Sequence, residues 1–99
     1  MRFEEHVRRA LDSLPPDLAR GLENVAVVVE DENRDDPDLF GLFEELPYMP
    51  AKVTIYRLPL VESFPEPAEL EREIRITVLH ELAHYFGIEE DRLEELGYG

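Results

Sequence analysis

No cysteine occurs among the 99 residues, so disulfides and any cysteine-containing zinc site are excluded. Tryptophan is absent as well, and basic residues are few: ten against twenty-four acidic ones, a formal charge of -14. A field of that sign repels nucleic acid and anionic membrane, and it favours cations and basic partners. No apolar run approaches the length a membrane-crossing helix needs. The stretch from Met1 to His6 has no apolar h-region, so no secretory leader is expected. With cysteine lacking too, a reducing cytoplasm is the expected location. Histidines are scarce, three in all, and two of them stand four positions apart.

What is present suits one modest core. Apolar residues make up 43% of the chain, and a chain of this length buries roughly two-thirds of its unfolded surface as one domain, here residues 1–99. Around the paired histidines the sequence runs Val78-Leu79-His80-Glu81-Leu82-Ala83-His84-Tyr85-Phe86-Gly87-Ile88-Glu89-Glu90. Its centre is H-E-x-x-H. On a helix, positions four apart share a face, so His80 and His84 can both reach one metal ion. Glu81 projects near the same face, where it can take a proton rather than bind the metal. Gly87 is placed for a left-handed helix end, and Glu90 follows three residues later. The whole pattern is H-E-x-x-H-x-x-G-x-x-E.

The rest of the chain frames this stretch. Phe3, Val7, Ala10, Leu11 and Leu14 recur at helical spacing, with Glu4, Glu5, Arg8, Arg9 and Asp12 opposite, which predicts an amphipathic helix ended by Pro15-Pro16. His6 within it reads as a surface histidine. Val25 to Val29 is short and β-branched and reads as a buried strand. The acidic run from Glu30 to Asp38 lacks the glycine and glutamate positions of a calcium loop, so it reads as solvated. Leu39 to Phe43, broken by Gly41, reads as a short edge strand or a loop on the core. Lys52 to Leu58 alternates as a strand, with Val53 and Ile55 on one face and Thr54 and Tyr56 on the other. Pro59 ends it, and 60–65 reads as connection. From Pro67 to Phe86 a long helix carries Leu70, Ile74, Val78, Leu82 and Phe86 as its packing stripe, with Leu79 and Ala83 beside them. Ile76, Thr77, His80, Glu81 and His84 lie off that stripe. Residues 89–96 predict a short final helix with Leu93 and Leu96 inward.

The chemistry expected of such a site follows from zinc coordination. A catalytic zinc ion, Zn2+, keeps three protein ligands and one open position. His80 and His84 supply two. Glu90, six residues after the second histidine, is the expected third, with Glu89 and Asp91 as alternatives. Zinc would polarise a scissile carbonyl, while Glu81 acts as general base and returns the proton to the leaving amine. If the strand holding Ile55 lies beside the helix, its edge is available to an extended peptide. Tyr56, Tyr85 and Tyr98 are the available phenol donors to an oxyanion.

The order of helix, short strands, H-E-x-x-H helix and final helix resembles the zincins. The segment from Lys52 to Gly97 is similar to one family in particular, the short bacterial proteins called minimal zincins. It carries Tyr56-Arg57, Pro59-Leu60, the run from Ile76 to Ile88, and Arg92-Leu93-Glu94-Glu95-Leu96-Gly97. The resemblance implies an α+β fold, with a small mixed or antiparallel sheet packed on the H-E-x-x-H helix and helices at both ends. It implies zinc binding by His80 and His84 and a base role for Glu81. The family's motif ends in aspartate, where this chain has Glu90, which keeps Asp91 open as ligand. No methionine follows the motif, so the methionine turn of the metzincins is missing. The function implied is a zinc-dependent metallopeptidase acting on a peptide or protein substrate.

Other readings remain beside it: a zinc-binding interaction module with an acidic surface and no turnover, a metal-dependent RNA nuclease, or a structural domain without metal. The nuclease reading conflicts with the charge and with the lack of a third histidine in the motif.

Overall fold

The computed structural model describes residues 2–86 and 90–95, and within them the side chains of 2–83, 91, 94 and 95. The chain is α+β. In order it forms α1 (Phe3–Asp12), α2 (Pro16–Gly21), a 3-10 turn (Leu22–Asn24), β1 (Val25–Glu30), β2 (Gly41–Glu44), β3 (Ala51–Tyr56), α3 (Arg57–Ser63), α4 (Pro67–Phe86) and α5 (Glu90–Glu95).

The three strands make one mixed sheet in the order β1-β3-β2. β1 pairs parallel with β3, from Val25 opposite Ala51 to Glu30 opposite Tyr56. β2 pairs antiparallel with it, from Gly41 opposite Ile55 to Glu44 opposite Lys52. β3 is therefore central. Val53, Thr54 and Ile55 are all fully buried, so the alternation seen in the sequence does not mark one wet face. This corrects two expectations. β3 has no free edge to offer a peptide, because both its sides are paired. β1, expected to be buried, is an edge strand on which only Val25 is buried while Val27, Val28 and Val29 are half-exposed. Of the two readings of residues 39–43, the edge strand is the one found.

A third correction concerns Pro59, expected to end β3 in a connection. It lies instead in the first turn of α3, buried with Leu60. The amides of a first turn have no partner within the helix, so a proline there costs no hydrogen bond.

α4 is the longest element, with 20 residues. The Glu66 carboxylate accepts from the amides of Ala68 at 3.1 Å and Glu69 at 2.9 Å, which satisfies orphan donors of its first turn. Leu70, Ile74, Val78, Leu79, Leu82 and Ala83 are buried as the stripe predicts, while the Phe86 side chain lies outside the described residues. Leu70, Ile74, Val78 and Leu82 meet Val53 and Ile55 of β3 and Phe3, Val7 and Ala10 of α1 in the main core. Leu79 and Ala83 pack with Leu14 in a second cluster. Each fully buried aliphatic side chain contributes about 1.5–3 kcal/mol, so this stripe holds α4 against both sheet and α1.

His6 is not at the surface. It is 7% exposed, and its Nδ1 donates to Glu71 Oε1 of α4 at 2.7 Å. Arg9 Nε lies 3.3 Å from the same oxygen. The hydrogen bond from His6 holds the Glu71 carboxyl below the usual carboxylate range, against the opposing effect of burial, with Arg9, His6 and Arg75 adding charge attraction. A lowered pKa gives stability that is present above the ordinary carboxylate value of about 4.3 and is lost as pH falls through the lowered one. Glu71→Ala leaves a buried imidazole without its acceptor, at a cost of about 1–3 kcal/mol. Thermal melts at pH 7 are expected to show a Tm lower by about 4–8 °C per kcal/mol, with the gap to wild type closing below about pH 4. Equal Tm values at pH 7 would show that this bond does not hold α1 to α4.

Candidate metal centre

α4 runs without a break from Pro67 to Phe86, so His80 and His84 stand one helical turn apart, about 6 Å along the axis. The His80 and Glu81 side chains are half-buried. Glu90 opens α5, and Asp91 on the same helix is exposed. The side chains of His84 and Glu90, and Glu89 altogether, lie outside the described residues, as do Gly87, Leu93 and Leu96 in their expected roles. Among the described residues no three His, Asp or Glu side chains form a group able to hold a metal. Of the expected ligands His80, His84 and Glu90, only His80 has a described side chain.

Glu81 is placed by β2. The amide of Tyr56 donates to Phe40 O at 2.9 Å, and β2 continues antiparallel from there. Facing pairs in such a ladder alternate, so Phe40, Leu42 and Glu44 turn their amides toward β3. Gly41 and Phe43 turn theirs to the open side. On that open side the Phe43 N–H donates to Glu81 Oε2 at 3.0 Å. The carboxylate that follows the first histidine of the motif is thus drawn to the outer edge of the sheet.

Gly41 is what allows this approach. A Cβ on Gly41 would stand 2.6 Å from Thr77 Cγ2, 3.2 Å from Thr54 O and 3.7 Å from Glu81 Cγ. The backbone of β2 rests directly on the motif face of α4. Thr77, expected off the packing stripe, is consequently buried, and its hydroxyl donates to Glu73 O at 2.8 Å.

Between the N-terminal end of β2 and α4 lies a cleft of about 350 Å³. His80, Glu81 and Thr77 form part of its floor, and Leu39, Phe40 and Ile76 give it apolar wall. Asp36, Asp38 and Glu73 add three carboxylates to the lining. The acidic run reaches the cleft because Asn33 Oδ1 accepts from the amides of Asp35 at 2.9 Å and Asp36 at 3.0 Å. Asp36 Oδ1 then accepts from Asp38 N at 3.2 Å.

Tyr56 is not a donor to this cleft. It is 4% exposed, its hydroxyl accepts from Asn33 Nδ2 at 2.9 Å, and it does not line the cavity. The side chains of Tyr85 and Tyr98 are outside the described residues. Sequence reasoning missed the Phe43 amide, Gly41 as a contact point, and the acidic residues beside His80. A glycine inside an apolar strand was the available signal, since it often marks a close backbone approach. For a main-chain amide no sequence signal exists.

The family model described as zincin-like metallopeptidase matches residues 22–99. The match runs from the 3-10 turn through the sheet and α4, and leaves α1 and α2 outside it. No curated protein matches the chain. No helix among the described residues is long and apolar enough to cross a membrane.

Proposed function

Because the chain belongs to the zincin-like metallopeptidase family, we propose that it is a zinc-dependent peptidase acting as one domain over residues 1–99, with its site in the cleft at His80 and Glu81. The observation that carries this reading is the bond from Phe43 N–H to Glu81 Oε2. It brings the motif's carboxylate to an open sheet edge, where a peptide backbone can be seated as an added strand.

The donor set fits the metal. Two imidazoles one turn apart on a helix and a carboxylate suit zinc, and His80, His84 and Glu90 would hold it, with Asp91 or Glu89 as alternative third ligands. When bound, zinc supplies a Lewis acid that polarises the scissile carbonyl and activates water near neutral pH. The remaining work falls to the chain. His80 and His84 present ring nitrogens as neutral ligands. Glu81 takes the proton of the attacking water on its carboxylate and passes it to the leaving amine. β2 orients the substrate backbone, so that proton transfer occurs over a short and fixed distance. The carboxylates of Asp36, Asp38 and Glu73 make the cleft more favourable to neutral or cationic peptides than to acidic ones.

Elemental analysis tests the metal. About one zinc per chain is expected in wild type and in Glu81→Gln, with loss in His84→Ala. Retention of zinc by His84→Ala, or no uptake by wild type after incubation with zinc, would overturn the site. Zinc bound at that ratio with no peptide hydrolysed would leave a zinc-binding interaction module.

A further inference from the structure

Among the described residues, β2 pairs with β3 on one side and with no strand on the other. Its register turns the amides of Gly41 and Phe43 toward the open side. These are the groups a seated peptide strand must reach. The Phe43 amide already has an acceptor, because it donates to Glu81 Oε2 at 3.0 Å. A hydrogen bond to a charged carboxylate is worth roughly tenfold or more in an equilibrium constant. A peptide carbonyl therefore cannot take the Phe43 N–H without first displacing Glu81.

We propose that Glu81 is the resting-state occupant of the open edge of β2, and that an extended peptide exchanges with it at the Phe43 amide. The inference rests on the peptidase reading for the carboxylate's later role, but the exchange itself is a property of the fold. Seating the backbone carbonyl on Phe43 N–H releases the carboxylate. The released oxygen is the one that must accept a proton during hydrolysis. The base is thus bound to the main chain until a strand arrives. A chain end or a short ligand that does not pair with β2 leaves Glu81 where it is.

The two ends of this exchange are fixed by separate packing. The bare backbone at Gly41 lets β2 lie close against Thr77 and Glu81 of α4. Phe43 packs its ring against the main core, which fixes the direction of its amide. The Glu81 side chain is half-buried and lines the cleft.

The test is binding of a neutral, end-blocked peptide with an uncleavable ketomethylene unit, measured by calorimetry on zinc-loaded wild type, Glu81→Gln and Glu81→Ala. Glutamine keeps an oxygen that can accept from Phe43 N–H, whereas alanine does not. The expected order is a Kd about tenfold lower for Glu81→Ala than for wild type, with Glu81→Gln within about threefold of wild type. Amide exchange of Phe43, read by NMR, should be slow in wild type and Glu81→Gln and fast in Glu81→Ala. It should become slow again in Glu81→Ala when peptide is added. A Kd for Glu81→Ala equal to or above that of wild type overturns the proposal. Equal tightening in Glu81→Gln and Glu81→Ala also overturns it, because the effect is then charge and not the hydrogen bond. If Glu81→Ala tightens as stated while wild type cleaves no peptide, the exchange stands and the peptidase reading falls.

Discussion

Glu81→Gln is expected to lower kcat by about 10²- to 10⁴-fold while zinc content and melting temperature stay at wild-type values. The substitution keeps the length and planarity of the side chain. Its amide oxygen can still accept from the Phe43 N–H, so the contact between α4 and β2 survives. What is lost is a group able to accept a proton at neutral pH. Shortening the side chain instead separates the two roles. Glu81→Asp keeps the base but draws it back from β2 by one methylene, so an intermediate loss is expected. Steady-state kinetics on one peptide, with zinc measured in the same preparations, check both. A Glu81→Gln protein that retains wild-type kcat at full zinc occupancy would remove Glu81 from the chemistry.

Gly41→Ala is expected to destabilise the fold by about 1–3 kcal/mol, lowering Tm by about 4–8 °C for each, and to abolish most activity. The new methyl would meet Thr77 Cγ2 at 2.6 Å, far inside ordinary contact. Thr77 cannot simply turn away. It is buried, and its hydroxyl is held by Glu73 O at 2.8 Å, so a new rotamer forfeits that bond. The strain instead lifts β2 from α4, which carries the Phe43 amide away from Glu81. A second substitution identifies the cause. Thr77→Ser removes the clashing methyl and keeps the hydroxyl. In Gly41→Ala/Thr77→Ser part of the stability and activity should return, with a coupling of about 0.5–3 kcal/mol. The return is partial because Thr54 O would still lie 3.2 Å from the new Cβ. Strict additivity of the two changes would mean that the methyl contact is not what Gly41 avoids.

The parts of the fold legible in the sequence were those governed by local period. Leu70, Ile74, Val78 and Leu82 repeat every four residues and are all buried along α4. Phe3, Val7 and Ala10, spaced by four and three, are buried along α1, and Leu14 is buried just past its end. His80 and Glu81, which the H-E-x-x-H spacing puts off the packing stripe, both line the cleft. What was not legible depends on partners far along the chain. His6 sits three residues after Phe3, a spacing that already puts it toward the core, yet its partner Glu71 is 65 positions away. Thr77 is buried by Gly41, which nothing near Thr77 announces. Strand order is a matter of which pairs form, and local alternation is blind to it. Hence β3 showed only an alternation though it is the central strand, and β1 looked buried though it is an edge. Pro59 misled for a simpler reason, since a proline that ends a strand and one that begins a helix look alike in sequence.

The strand order has a consequence for how the protein is made. β1 and β2 are not neighbours; each finds its hydrogen-bonding partner only in β3, which is the last of the three to be synthesised. A growing chain that has emerged as far as residue 50 therefore contains two strands and no pair. Their amides and carbonyls must stay solvated until Ala51 to Tyr56 inserts between them. No two-stranded intermediate can accumulate ahead of that insertion, and the half-exposed valines of β1 spend this interval with an unsatisfied edge on both sides. The interval before β3 emerges is when the nascent chain is most open to pairing with a strand other than its own.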